Sequence, residues 1–150
     1  MATLLVVHGP NLNLLGIREP AHYGQTTLDA IDKHLAGIAT AAGHTLISFQ
    51  SNAEHSLIER IHAAAREGVA FIIINPAGYT STSIAILFAL LTLKTPWVQI
   101  NITNIHQREA FRHNSYVSKA AKAVLAGFGV NGYALAIIGL AGLIGLKEQN

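Results

Sequence analysis

Five short apolar segments, each five to eight residues long, recur along the chain between polar or turn-forming residues. Continuous apolar runs of this length are typical of strands buried on both faces of a parallel sheet. The segments are TLLVV (3–7), TLISFQ (45–50), FIIIN (71–75), WVQINI (97–102) and KAVLAGFG (122–129). The pattern therefore predicts five strands, one in each segment.

Longer segments with helical spacing separate these strands. The first begins with two candidate capping residues, Thr26 and Thr27, and Gly43 follows it as a C-terminal stop. The helical segments are residues 26–43, 56–68, 82–94 and 131–147. Because parallel strands need a crossover between them, the alternation predicts one α/β domain over residues 1–150. Its expected architecture is a flavodoxin-like three-layer sandwich with a five-stranded parallel sheet.

The composition is poor in charge and the charges are unevenly placed. Apolar residues make up 51% of the chain and charged residues 12%, whereas about a quarter charged is usual. We therefore expect part of the apolar surface to be covered by other copies of the chain. Residues 68–150 carry six Lys and Arg against two Asp and Glu, so this half is expected to bind anions. Nucleic acid is not an expected partner, because the basic residues are sparse and not interleaved with aromatic ones.

Neither of the two long uncharged stretches is expected to cross a membrane. Residues 68–93 are interrupted by Asn75, Pro76 and Gly78, and residues 133–146 are shorter than the roughly 20 residues of a spanning helix. The N-terminus has no basic stretch ahead of its apolar run, so a signal peptide is not predicted. With no cysteine and no HExxH motif, we expect a cytoplasmic protein without a metal site.

The loops after the strands are the candidate site, because ligands of such sheets bind beyond the carboxyl ends of the strands. The first loop, residues 9–24, is longer than a usual connection and is expected to act as a lid or a substrate loop. It holds Tyr23, which becomes a base only if a cation such as Arg18 lowers its pKa from about 10 to about 7, at about 4 kcal/mol. A solvated surface tyrosine is the alternative.

Two later loops add candidate polar groups. Residues 75–83 are predicted to form either a turn followed by a helix N-cap or a loop that binds a ligand. After the fourth strand, backbone N–H groups near Thr103 could hold a carboxylate, and Arg108 or Arg112 could bind hydroxyls or supply positive charge. Glu109 is a candidate ion-pair partner of these arginines, and a helical turn with internal salt bridges is the alternative.

Four long motifs occur in a recognisable order: HGPNLNLLGIREPAHYG, FQSNAEHSLIERIHAA, IINPAGYTSTSIAI and TNIHQREAFRHNSYVS. From about Leu4 to Ala136 the chain resembles the type II 3-dehydroquinate dehydratases. That family converts 3-dehydroquinate to 3-dehydroshikimate through an enolate, in the shikimate pathway of aromatic amino acid biosynthesis, without metal or cofactor. The resemblance implies a small anionic cyclohexane-type substrate and a homo-oligomer of trimers that combine into a dodecamer.

The resemblance also implies residue roles. Tyr23 would remove the proton next to the substrate ketone, and Arg18 would keep this tyrosine ionised and close the lid. Arg108 would help orient Tyr23, and Asn11 would hold a water that steadies the enolate oxygen.

Further residues would bind the substrate. By resemblance, Asn75 and the backbone of Ile102 and Thr103 would grip its carboxylate. Arg112 would bind its ring hydroxyls. This half of the family's site is intact in the sequence.

Two residues on the fourth strand depart from the family. At Asn101 the family has a histidine that protonates the departing hydroxyl, and at Gln99 it has a glutamate that orients this histidine. The two positions lie on one face of the strand, two residues apart. Loss of a general acid typically costs 10²–10⁴ in rate, so we expect weak or absent activity. A lone buried glutamate would be an uncompensated charge, so the amide at Gln99 is a coherent companion change.

Other departures concern the subunit contact. Ser81 replaces a substrate-binding histidine, and Leu87 with Phe88 replaces an Arg-Asp pair whose aspartate reaches the neighbouring subunit's site. The helix around them is apolar nearly all round, which is typical of burial on every side. A redesigned or a degenerate member of the family fits these changes equally well. The alternative function is an inactive, self-assembling homo-oligomeric scaffold, engineered or natural.

Overall fold

The structure is a computed structural model that describes residues 1–17 and 26–148. Its single sheet has five parallel strands in the order β2-β1-β3-β4-β5. The strands are β1 (Thr3–His8), β2 (Thr45–Gln50), β3 (Phe71–Asn75), β4 (Trp97–Asn101) and β5 (Ala123–Ala126). The predicted α/β, flavodoxin-like architecture with a five-stranded parallel sheet is confirmed.

Four helices cover the two faces of the sheet, so the domain has three layers, with helices on either side of the sheet. They are α1 (Leu28–Ala41), α2 (Glu54–Arg66), α3 (Ile84–Leu91) and α4 (Asn131–Glu148). Five short 3-10 turns lie in the described loops, at Leu12–Leu14, Ala77–Ser81, Ile105–Gln107, Ala110–Arg112 and Val117–Lys119. No helix in the described residues is long and apolar enough to pass through a membrane.

The core is split by the sheet into two apolar clusters. Leu4 and Val6 of β1 face α1 and α4, whereas Leu5 and Val7 face α2 and α3. Because successive strand residues point to opposite faces, a central strand covered on both sides must be apolar at every position. This is why Leu4 to Val7 of β1 and Phe71 to Ile74 of β3 are continuous apolar runs, whereas β4 is interrupted by the buried amide of Gln99.

Two predicted strand ends are wrong. The fifth strand was expected over residues 122–129 but ends at Ala126, because Gly127 has a positive φ of 92° that a strand residue does not adopt. The fourth strand ends at Asn101 and does not include Ile102. The edge strands β2 and β5 are also largely exposed, so they are not buried on both faces as predicted.

The helix caps agree with the sequence. Thr27 is the N-cap of α1 and accepts a hydrogen bond from the Ala30 N–H at 3.3 Å, and Gly43 lies beyond the helix end with φ 82°. Ser83 is the N-cap of α3 and accepts a hydrogen bond from the Ile86 N–H at 2.9 Å. The predicted N-cap at the end of residues 75–83 is therefore confirmed.

Candidate functional site

A cavity of about 260 Å³ lies at the carboxyl ends of β1, β3 and β4. Parallel strands place all their following loops at this edge, so side chains from distant parts of the chain meet there. Eight residues predicted for the site line the cavity: Asn11, Asn75, Ser81, Asn101, Ile102, Thr103, Arg108 and Arg112. Most of the predicted binding residues are thus brought together.

The remaining predicted residues lie elsewhere or cannot be placed. Gln99 is fully buried behind Asn101 and does not line the cavity. Phe88 is on α3, is 61% exposed and lies outside the cavity of its own chain. Tyr23 and Arg18 fall outside the described residues, so their roles stay predictions.

The first loop is held close to the end of β3. The Gly9 N–H donates to the Asn75 carbonyl at 2.8 Å, and a Cβ at Gly9 would lie only 2.4 Å from the Pro76 carbonyl oxygen. Asn11 then adopts a left-handed conformation with φ 68°, which asparagine tolerates better than most residues. Its N–H donates to Oδ1 of Asn52 at 2.9 Å. These contacts fix the backbone that brings Asn11 to the cavity.

The side chain of Asn75 belongs to a chain of hydrogen bonds that ends at a half-buried carboxylate and is here called the Asn75 network: Asn75, Tyr133, His8 and Asp32. Asn75 Nδ2 donates to the Tyr133 hydroxyl at 2.9 Å, and Asn75 Oδ1 accepts from the Ala77 N–H at 3.1 Å. Both ends of the amide are therefore engaged, and its orientation is fixed.

The rest of the Asn75 network extends to α1. His8 Nδ1 lies 3.2 Å from the Tyr133 hydroxyl, and His8 Nε2 lies 2.8 Å from Oδ1 of Asp32. Burial raises the pKa of Tyr133 well above its usual range, while the hydrogen bond from Asn75 opposes this rise. Tyr133 is therefore a neutral structural group and not a base.

A second set of contacts, here called the Gln99 network, comprises Gln99, Asn101, Ser115 and Ser118. Gln99 Oε1 accepts hydrogen bonds from the Ser115 hydroxyl at 3.0 Å and from the Ser118 hydroxyl. Gln99 Nε2 donates to Asn101 Oδ1 at 3.5 Å. The buried Gln99 thus connects a serine pair beyond β4 to the amide that faces the cavity.

Two polar atoms of cavity-lining side chains are buried without a hydrogen-bond partner among the described residues: Thr80 Oγ1 and Asn101 Nδ2. Thr80 is 5% exposed and Asn101 is 7% exposed. A buried donor left unpaired costs about 1–3 kcal/mol. Each of the two atoms has almost no accessible surface, so it is enclosed by its neighbours.

The positive charge of the cavity comes from Arg108 and Arg112. Arg112 Nε lies 2.6 Å from a carboxylate oxygen of Glu109, and Arg108 Nη1 donates to the Thr103 hydroxyl at 3.5 Å. Hydrogen bonding from its own backbone N–H and from Arg112 lowers the pKa of Glu109. The ion pair predicted for Glu109 is therefore present, and the 3-10 turn that contains Arg112 is held by it.

The described lining residues offer binding groups but no general acid. Arg108 and Arg112 are their only ionisable side chains. A guanidinium keeps its proton far above neutral pH, and an amide or hydroxyl does not release one near pH 7. In the described part of the chain, no group of three His, Cys, Asp or Glu could hold a metal ion.

Four supporting residues were not predicted from sequence: His8, Tyr133, Ser115 and Ser118. His8 ends β1 beside Asn75 in the register, which was a usable signal because both are polar residues at the carboxyl edge. Tyr133 and the serines carried no such signal, since they contact strands that are distant in sequence.

Comparisons with known proteins agree with this geometry. The model of the family described as "Dehydroquinase class II" matches residues 2–141. The chain is 57% identical over 137 residues to 3-dehydroquinate dehydratase 1 of Pseudomonas putida, covering 91% of each chain. It is 58% identical over 137 residues to 3-dehydroquinate dehydratase of Xanthomonas campestris, covering 91% of this chain and 93% of that one.

A solved structure shows the same fold. The type II dehydroquinase from Propionibacterium acnes superposes with a TM-score of 0.90 at 39% identity, covering 94% of this chain and 97% of that one. A family match over almost the whole chain, relatives above 50% identity and this likeness of structure point to the same conclusion. The chain belongs to the class II dehydroquinase family.

Proposed function

We propose that the cavity binds 3-dehydroquinate and that the chain dehydrates it to 3-dehydroshikimate far more slowly than an ordinary enzyme of its family. Membership of the family supports the substrate. So does the chemistry of the cavity, whose described charged side chains are both arginines, because 3-dehydroquinate is a carboxylate.

The proposed binding mode uses groups that line the cavity. Asn75 and the backbone N–H groups of Ile102 and Thr103 hold the carboxylate, and Arg112 holds ring hydroxyls. Ser81 adds a short hydroxyl at the wall. Support comes from the fixed orientation of the Asn75 amide and from the ion pair that restrains Arg112.

The proposed reaction has two steps. A base removes a proton next to the ketone, and the resulting enolate then expels a hydroxyl group, which must gain a proton to leave as water. We assign the first step to Tyr23, with Arg18, Arg108 and the Asn11-bound water as its supports. The second step is the slow one, because the position of the proton donor is occupied by Asn101.

A single observation carries the proposal of weak activity: the buried amide of Asn101, backed by the neutral Gln99, takes the position of the expected acid. Loss of a general acid typically slows a reaction by 10²–10⁴. The described lining residues contain no other group that could replace it.

The test is a direct assay of the purified protein with 3-dehydroquinate. The product contains a conjugated carbonyl, so its formation is followed by ultraviolet absorbance. We expect turnover at least about a hundredfold below that of an active relative measured in parallel. Turnover at the relative's rate would overturn the proposal that Asn101 impairs the acid step.

A second candidate function is favoured by the exposed apolar face of α3. Ile84, Phe88 and Leu91 are 44%, 61% and 52% exposed in the single chain, and such a patch is typical of an interface. We propose that this face mediates self-association into trimers and larger assemblies. In this case the protein acts as a non-catalytic scaffold.

Analytical ultracentrifugation tests this second candidate. We expect an oligomer for the natural chain and smaller species for Leu91→Asp, because the charge would be buried unpaired in the interface. Lys94→Asp, at a nearby position beyond the helix, is the control for added negative charge. A monomeric natural chain would exclude the scaffold.

A further inference from the structure

The Asn75 network has a fixed donor at one end and a fixed acceptor at the other. At the cavity end, the Ala77 backbone N–H donates to Asn75 Oδ1 at 3.1 Å. At the far end, Oδ1 of the Asp32 carboxylate lies 2.8 Å from His8 Nε2. A backbone N–H cannot accept a hydrogen bond and an ionised carboxylate cannot donate one, so the direction of both end bonds is set.

Each group between these ends can donate and accept, and the two ends set its direction. Because Asn75 Oδ1 is bound to the Ala77 N–H, Asn75 Nδ2 faces the Tyr133 hydroxyl and donates to it at 2.9 Å. Because His8 Nε2 needs its proton to reach Asp32, Nδ1 of the neutral ring is left as an acceptor. The Tyr133 hydroxyl therefore donates to His8 Nδ1, which lies 3.2 Å away.

The buried tyrosine makes this chain sensitive to the position of the His8 proton. Tyr133 has 0% exposure, and burial, with a smaller contribution from the charge of Asp32, raises its pKa above the usual range. Tyr133 thus keeps the proton that it donates to His8. If Nδ1 of His8 carried the ring proton instead, it would donate to the tyrosine, whose own proton would lose its acceptor.

Asp32 keeps the proton of His8 on Nε2. Without this carboxylate the ring could carry its proton on Nδ1, and Tyr133 would regain an acceptor only if Asn75 turned its Oδ1 toward the hydroxyl. That turn would place Asn75 Nδ2 against the Ala77 N–H, donor against donor. No orientation of the amide would then satisfy both neighbours, so Asn75 would no longer be held.

Asp32 acts on the cavity only through this chain, because the residues that line the cavity include Asn75 but not Asp32, His8 or Tyr133. We propose that Asp32 is a positioning residue that strengthens binding of the ligand carboxylate by holding Asn75 through His8 and Tyr133. The inference rests on the proposed function for the contact between Asn75 and that carboxylate. It adds a residue of α1, with a side chain 27% exposed, to the determinants of affinity.

Charge alone predicts the opposite effect of Asp32. A carboxylate repels an anionic ligand, so its removal should strengthen binding if only the Coulomb interaction mattered. If Asp32 acts by setting the direction of the hydrogen bonds, its removal should weaken binding. The sign of the change therefore distinguishes the two effects.

Quinate is a suitable probe, because it carries a carboxylate on a hydroxylated ring and has no ketone from which an enolate could form. In NMR titrations we expect Asp32→Ala to weaken quinate binding about three- to tenfold, which is the effect of one net hydrogen bond. Asp32→Asn removes the same charge but retains an oxygen that accepts from His8, so it should bind quinate nearly as tightly as the natural chain. Asp29→Ala is the matched control: it removes an exposed carboxylate of the same helix, paired with Lys33, and should not weaken binding.

Two further measurements distinguish positioning from a general disturbance of the fold. The corresponding cyclohexanetetrol is quinate without its carboxylate, and its affinity should be the same for the natural chain and for Asp32→Ala. The ¹⁵N shifts of the His8 ring, assigned through the backbone, should show a protonated Nε2 and an unprotonated Nδ1 in the natural chain. In Asp32→Ala, the signal of a protonated Nδ1 should appear.

The outcomes separate the inference from the proposed function. If quinate does not bind the natural chain at millimolar concentration, the proposed substrate and the inference are both wrong. If quinate binds, the inference alone is wrong when Asp32→Ala binds it equally or more tightly, when Asp32→Asn loses as much as Asp32→Ala, or when the cyclohexanetetrol is weakened equally. Should Asp32→Ala fail to fold, the natural chain still decides the question, because a protonated Nδ1 of His8 would contradict the inference.

Discussion

The Asn75 network and the Gln99 network hold the two amides of the cavity floor in contrasting ways. In the first, both ends of Asn75 are bound within the protein. In the second, Asn101 is bound at one end only, and its nitrogen is buried without a partner among the described residues. The first arrangement serves stability and fixed geometry. The second leaves a buried donor unpaired, at a cost of about 1–3 kcal/mol.

The largest effect should come from restoring a titratable pair in the Gln99 network. We predict that Asn101→His with Gln99→Glu raises dehydration of 3-dehydroquinate by at least about a hundredfold, because imidazole can deliver the proton and glutamate can orient it. The rate of absorbance increase measures the effect.

The single variant Asn101→His is the control for this pair. We expect a smaller gain, because the Gln99 amide nitrogen faces the new ring and does not stabilise its charged form. If the double variant gains nothing, the defect lies elsewhere, and Ser81 and Phe88 become the first positions to test.

A break in the Asn75 network should lower the stability of the fold. Tyr133→Phe removes the hydroxyl between Asn75 Nδ2 and His8 Nδ1, and leaves two buried polar atoms unpaired. We expect the free energy of unfolding to fall by about 1–3 kcal/mol in urea titrations. Tyr116→Phe, at a half-buried tyrosine, should change it much less. Equal losses in the two variants would contradict a special role for the network.

Unfolding at alkaline pH should reveal the contribution of the Tyr133 hydroxyl to stability. The folded pKa of Tyr133 is raised above the ordinary 10.0, so its contribution is present below pH 10 and is lost as the pH rises further, when the unfolded chain releases the proton. The slope is at most about 1.4 kcal/mol per pH unit. Comparing unfolding of the natural chain and Tyr133→Phe above pH 10 isolates this term, and parallel pH curves would disprove it.

The smallest expected effect concerns the ion pair between Glu109 and the cavity-lining Arg112. Glu109 has a lowered pKa, so its contribution to stability is present above pH 4.5 and is lost as the pH falls through the lower, folded pKa. Because the carboxyl is fully exposed, we expect little change in overall stability from Glu109→Gln. Carboxyl NMR titration should place the Glu109 pKa below 4.5, and Arg112→Ala should raise it. A pKa insensitive to Arg112→Ala would contradict the ion pair.

Much of the site was predictable because the topology is readable from the sequence. The alternation of apolar runs and helical segments indicated a parallel sheet, and such sheets bind ligands at one edge. Asn75 and Thr103 follow directly from this rule, since both lie at or just after strand ends. Phe88 does not, because its predicted role requires a second chain, and the single chain exposes it.

The sequence by itself determined which segments form strands and helices and which loops form the cavity. It also determined that positions 99 and 101 carry uncharged amides instead of titratable groups. Only the tertiary structure decided how these amides are oriented. Tyr133 meets His8 across 125 residues, and Ser115 meets Gln99 across 16. No local pattern encodes such contacts, because they depend on the packing of α4 and of the loop after β4 against the sheet. The direction of a hydrogen bond is fixed only when all its partners are in place.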